Sequence, residues 1–112
     1  MEYKIKSRIW IEANGHILLG EGRVSLLKAI EETGSLSKAA KSLGMSYKKA
    51  WSLVDAVNSR SEEAVVTSNV GGKRGGGTQL TAYGKSLIKA FDTINENCWK
   101  FLDKEISKTH LK

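Results

Sequence analysis

At 112 residues the chain has the length of one domain, long enough for a modest core and small enough that association with a second copy would help bury surface. A formal net charge of +6 favours a polyanionic partner, and a single cysteine, Cys98, excludes an intramolecular disulfide and suits a reducing cytoplasm. No stretch has the length of an apolar membrane-spanning helix and no signal-peptide pattern opens the chain, so no membrane partner is expected.

Residues 1–20 read as an N-terminal β-hairpin. Ile5, Ser7, Ile9 and Ile11 alternate with Lys6, Arg8, Trp10 and Glu12, and Asn14-Gly15 separates that run from Ile17-Leu18-Leu19. Asn-Gly between two apolar runs is a strong hairpin signal, because both residues tolerate positive φ. A helix is predicted over 22–33, with Val24, Leu27 and Ile30 facing the core and Thr33-Gly34 ending it.

Residues 35–60 spell two short helices around a glycine turn. Ser35 can cap the first, in which Leu36, Ala39, Ala40 and Leu43 recur at helical spacing, and Gly44 can end it at positive φ. Small Ala39 and Ala40 allow a close crossing. Ser46 can cap the second helix, with Ala50, Trp51, Val54 and Val57 as its inward stripe and Tyr47, Lys48, Lys49 and Ser52 facing outward. This is the pattern of a helix-turn-helix, and lysine, serine and tyrosine at a helix N-terminus can reach phosphates and base edges. The competing reading is the solvated face of an ordinary helical bundle.

The next segment favours the helix-turn-helix. Residues 64–80 carry a β-branched run, Ala64 to Val70, a glycine-rich tip around Lys73 and Arg74, and a short strand, Thr78-Gln79-Leu80. A hairpin with two cations on unencumbered backbone, directly after a helix-turn-helix, reads as a wing. A phosphate-binding nucleotide loop fails on spacing, since no Ser or Thr follows Lys73 and a strand follows the glycines. The charge is uneven: Lys38, Lys41, Lys48, Lys49, Arg60, Lys73 and Arg74 outweigh Asp55, Glu62 and Glu63 between Gly34 and Thr81, whereas residues 1–33 balance.

Thr81 can cap a long helix over 81–107 in which Leu87, Phe91, Ile94, Cys98 and Phe101 alternate at spacings of four and three, as in a coiled coil. A second stripe of Ile88, Trp99, Leu102 and Ile106 leaves the helix apolar over much of its circumference. Burial from two sides, one on its own domain and one on a partner chain, accommodates both stripes.

Catalysis has little to build on. His16 and His110 have no ligand or base partner at a recognisable spacing, Glu31-Glu32 and Glu62-Glu63 suit solvated surface, and Cys98 sits on the apolar seam as a small core residue. No enzyme activity, cofactor or metal is expected.

From Gly22 to Leu102 the sequence resembles the N-terminal DNA-binding domain of the molybdate-dependent ModE family of transcriptional regulators, itself related to LysR-type regulators in its helix-turn-helix. The resemblance is carried by GSLSKAAKSLGMSYKKAW (Gly34 to Trp51), GGKRGGGTQLTAYGKSLI (Gly71 to Ile88) and the phenylalanine-bearing helix after them. It implies a mainly α winged helix-turn-helix with small β-hairpins, ending in a long dimerisation helix. It implies a recognition helix bearing Ser46, Tyr47, Lys48, Lys49 and Ser52, a wing bearing Lys73 and Arg74, and a homodimer on double-stranded DNA. Ser35, at the start of the motif, joins the candidate DNA contacts. Full-length members of that family continue into a molybdate-binding region of small β-barrels, so molybdate sensing is not expected from this chain alone. The expectation is a sequence-specific regulator in the cytoplasm, associated with a prokaryotic nucleoid. The rival is an interaction or assembly module whose basic face binds nucleic acid non-specifically.

Overall fold

A computed structural model describes residues 2–69 and 77–111. Strands β1 (Trp10–Ala13) and β2 (His16–Gly20) form the N-terminal hairpin, followed by helices α1 (Glu21–Thr33), α2 (Leu36–Ser42) and α3 (Tyr47–Arg60). Strands β3 (Val66–Asn69) and β4 (Gly77–Leu80) form a second antiparallel pair, and α4 (Ala82–Lys108) closes the chain.

Local chemistry accounts for most element ends. Asn14 and Gly15 both take positive φ (52° and 81°), as a two-residue hairpin turn requires. The predicted strand over 5–12 is cut back to Trp10–Ala13, because Trp10 pairs with Gly20 and the partner strand turns into α1 immediately beyond. Gly34 at φ 67° and Gly44 at φ 66° end α1 and the turn after α2. The Oγ atoms of Ser35 and Ser46 accept from the amides of Lys38 and Lys49, both at 3.1 Å, and Thr81 Oγ1 accepts from Gly84 N at 2.9 Å. All three predicted N-caps therefore form; each such cap stabilises its helix by about 1 kcal/mol.

The core lies where α1, α2 and α3 cross and where β2, the wing strands and the start of α4 close over them. Leu19, Leu26, Leu27, Ile30, Val57 and Val65 are the largest fully buried side chains, each contributing about 1.5–3 kcal/mol through burial. Ala39, Ala40 and Ala50 are buried at the α2–α3 crossing. Leu43 falls past the last turn of α2 and is 40% exposed, so it leaves the predicted stripe.

The wing is anchored at its base. Asn58 Oδ1 accepts from the amides of Val65 (2.8 Å) and Val66 (3.0 Å), while its Nδ2 donates to Val66 O. Thr81 Oγ1 donates to Ala64 O, its amide to Val65 O, and Thr78 N donates to Gly34 O. Gly84 lies so close to Val65 that an added Cβ would stand 2.4 Å from its carbonyl oxygen.

Two predicted faces need correction. Trp51 is 54% exposed rather than inward: one residue on from Ala50, it is turned about 100° around α3 to the edge of the buried stripe, beside the base of the wing. Phe91, assigned to a dimer seam, is 3% exposed and packs with Ile88 in the domain's own core. The seam thus divides: Leu87 and Phe91 serve the domain, while Ile94 (51%) and Phe101 (57%) face solvent. Helix α4 runs well past that core, and the molecule extends to 62 Å along its longest axis.

Candidate nucleic-acid interface

The helix-turn-helix sets α3 across the domain with Ala50 and Val57 buried beneath it and Tyr47, Lys48, Lys49 and Ser52 exposed above, as the sequence predicts. The turn from Gly44 to Ser46 presents the N-terminal end of α3, where unpaired amides give a partial positive charge. Ser35 is half-buried and Ser46 exposed; each hydroxyl accepts a capping bond and keeps its proton for donation.

The outward residues divide between two flanks. Lys49 lines a shallow cavity of about 350 Å³ against the N-terminal hairpin, with Trp10, Ile17, Arg23, Met45 and Leu53. Trp51 lines a smaller one, about 210 Å³, against the base of the wing, with Leu36, Val54, Asp55, Asn58, Ser68 and Thr78. Tyr47, Lys48 and Ser52 precede and follow Trp51 on the same exposed end of α3. Periodicity alone hid Trp51, since the position borders the inward stripe. Asn58 was also missed: nothing local in the helix announces bonds to residues 65 and 66.

Electrostatics favour an anion here. Among the described residues the ion pairs are Arg8–Glu21, Lys28–Asp92 and Lys85–Glu31, so Lys38, Lys41, Lys48 and Lys49 have no carboxylate partner. Arg23 and Arg60 both donate to Ile17 O, tying the hairpin to α1 and α3. Burial, and secondarily the charge of Arg60, lower the Arg23 pKa from its ordinary value. The wing residues Thr67, Ser68 and Asn69 are exposed beside α3, whereas Lys73 and Arg74 lie outside the described residues.

The dimerisation candidates occupy a separate region. Cys98 is half-buried with its Sγ 3.7 Å from Ser7 Oγ, and Ile94, Trp99 and Phe101 are about half exposed. Among the described residues no group of His, Cys, Asp and Glu could hold a metal, and no helix is long and apolar enough to cross a membrane.

Hairpin, helix, helix-turn-helix, wing and long terminal helix together define a winged helix-turn-helix. The same fold is seen in the CbnR DNA-binding domain, solved in complex with DNA, at a TM-score of 0.59 and 20% identity, covering 80% of this chain and 97% of that one. No family model matches the chain. Among curated proteins it is similar to the transcriptional regulator ModE of Yersinia pestis, 49% identical over 72 residues, which are 64% of this chain and 27% of that protein. The molybdenum transport protein ModE of Azotobacter vinelandii is 36% identical over 98 residues, 88% of this chain and 36% of that protein. The DNA-binding transcriptional dual regulator ModE of Escherichia coli K12 is 44% identical over 81 residues, 72% of this chain and 31% of that protein. The chain therefore resembles the winged-helix portion of ModE regulators, and it spans about a third of the length of these relatives.

Proposed function

We propose that this chain is the DNA-binding unit of a ModE-type transcriptional regulator, acting in the cytoplasm on the nucleoid rather than as an enzyme. The observation that carries the reading is the exposed N-terminal end of α3, where Tyr47, Lys48 and Ser52 stand clear of the core and the lysines have no carboxylate partner among the described residues. In this reading α3 enters the major groove of double-stranded DNA, with Lys48 and Ser52 reaching base edges or phosphates. Ser35, Ser46 and Lys49 contribute from the borders of the face. Lys73 and Arg74 of the wing grip the adjacent backbone, so replacing both with Ala weakens every duplex alike without lowering the thermal midpoint.

The functional unit is a homodimer held by the outer part of α4 through Ile94 and Phe101, with Cys98 bordering the contact. Two recognition helices then meet two half-sites one helical turn apart, about 34 Å, or a multiple of it. No effector site, for molybdate or any other ligand, is assigned to this chain. Selection of bound duplexes from a random pool, at fixed salt, tests the proposal. Enrichment of one pseudo-palindromic motif supports it; a flat pool with salt-dependent binding favours a module that holds nucleic acid non-specifically.

A further inference from the structure

An exposed tryptophan beside lysines that have no carboxylate partner among the described residues is an unusual use of surface. Trp51 leaves 54% of its surface in water and Tyr47, one turn before it, 57%. Aromatic side chains of this size are normally covered, since each can bury 150–250 Å². Among the described residues the wing strands leave Trp51 uncovered, with an open space between it and Ser68 and Thr78 that Asp55 also lines. A purely apolar protein partner is disfavoured here, because seating one would strip water from Lys48. A surface that is both anionic and apolar at its edges fits both residues, and the major groove of duplex DNA offers that combination only at thymine, whose C5-methyl group projects among polar base edges.

We propose that Trp51 is a specificity-determining residue that packs its indole on thymine methyl groups between the recognition helix and the wing. Tyr47 supports the indole from the preceding turn, while Lys48 and Ser52 supply the polar contacts. This inference rests on the proposed DNA-binding function and adds the base that the helix prefers on its wing-facing flank. The preference comes from an apolar contact and so survives high salt better than the phosphate contacts do.

The test uses a duplex taken from the random-pool selection, with each thymine replaced in turn by uracil. That change removes one methyl group and leaves every hydrogen-bonding group in place. At one or two positions per half-site the wild-type protein should lose about fourfold in affinity, the value of burying one methyl-sized group. Trp51→Ser should bind the thymine duplex more weakly, and should not distinguish thymine from uracil at those positions. Its circular dichroism and thermal midpoint should match the wild type, because the side chain is exposed. A second readout is emission from Trp51 alone in a Trp10→Phe/Trp99→Phe background, expected to shift when the duplex is added. Specific binding that ignores every thymine methyl, or uracil sensitivity that persists in Trp51→Ser, overturns the proposal while leaving the DNA-binding reading intact. Failure to bind any duplex overturns both.

Discussion

Tyr47 and Trp51 on α3 and Ile94, Trp99 and Phe101 on α4 are all about half exposed, yet the charges around them differ. Helix α3 sets Lys48, Lys49 and Arg60 against Asp55 alone, whereas residues 92–108 of α4 mix Asp92, Glu96, Asp103 and Glu105 with Lys100, Lys104 and Lys108. An apolar step in a mainly basic field, with Asp55 as its one acid on α3, suits a polyanion with apolar edges. An apolar stripe in a balanced field suits another protein surface, because like charges do not oppose its approach. On the proposed reading both exposed apolar areas are contact surfaces, and the charge around each decides which partner it suits.

The contrast within α4 is the easiest to break. Phe91→Ala opens a cavity in the core and should cost about 3–5 kcal/mol, while Phe101→Ala should change the stability of a dilute monomer by no more than about 0.5 kcal/mol. Denaturant unfolding of the two variants at low protein concentration measures this, and equal losses would show the helix to be one continuous core element. Next in size is the double variant Ile94→Asp/Phe101→Asp, which places charge on the outer stripe. It should sediment as a monomer with native circular dichroism and lose roughly a hundredfold in affinity for a two-half-site duplex, through loss of effective concentration. A variant that stays dimeric would move the interface elsewhere. Smallest is Lys48→Ala: a base contact costs about 1–3 kcal/mol at one position, whereas a phosphate contact flattens the slope of log affinity against log salt by about one unit. Titrations at several salt concentrations separate these, and a variant that changes neither would remove Lys48 from the reading face.

What was legible in the sequence was what local chemistry decides. Ser35, Ser46 and Thr81 cap helices because a hydroxyl there meets free amides, and Gly34 and Gly44 end elements because the chain needs positive φ. The order of elements followed, and with it the outward placement of Tyr47, Lys48, Lys49 and Ser52. What was not legible depended on distances between elements. Trp51 borders the buried stripe, and only the position of the wing strands beside α3 decides on which side of that border it falls. Phe91 and Phe101 share one heptad-like seam, and only the reach of the domain beneath α4 separates core from surface. Ile5 to Ile9 alternate as a strand does, yet β2 ends where α1 begins and leaves them no partner. Asn58 reads as an ordinary helical polar residue until the wing arrives beside it.

If α3 meets DNA and the outer part of α4 meets protein, adding a selected duplex to an isotope-labelled sample should shift the backbone amide signals of one helix and not the other. Large perturbations are expected over Ser46 to Ser52, further ones at Lys73, Arg74 and Ser68, and little change over Ile94 to Lys108. Perturbations concentrated on Ile94 to Lys108, with Ser46 to Ser52 undisturbed, would contradict that assignment of partners.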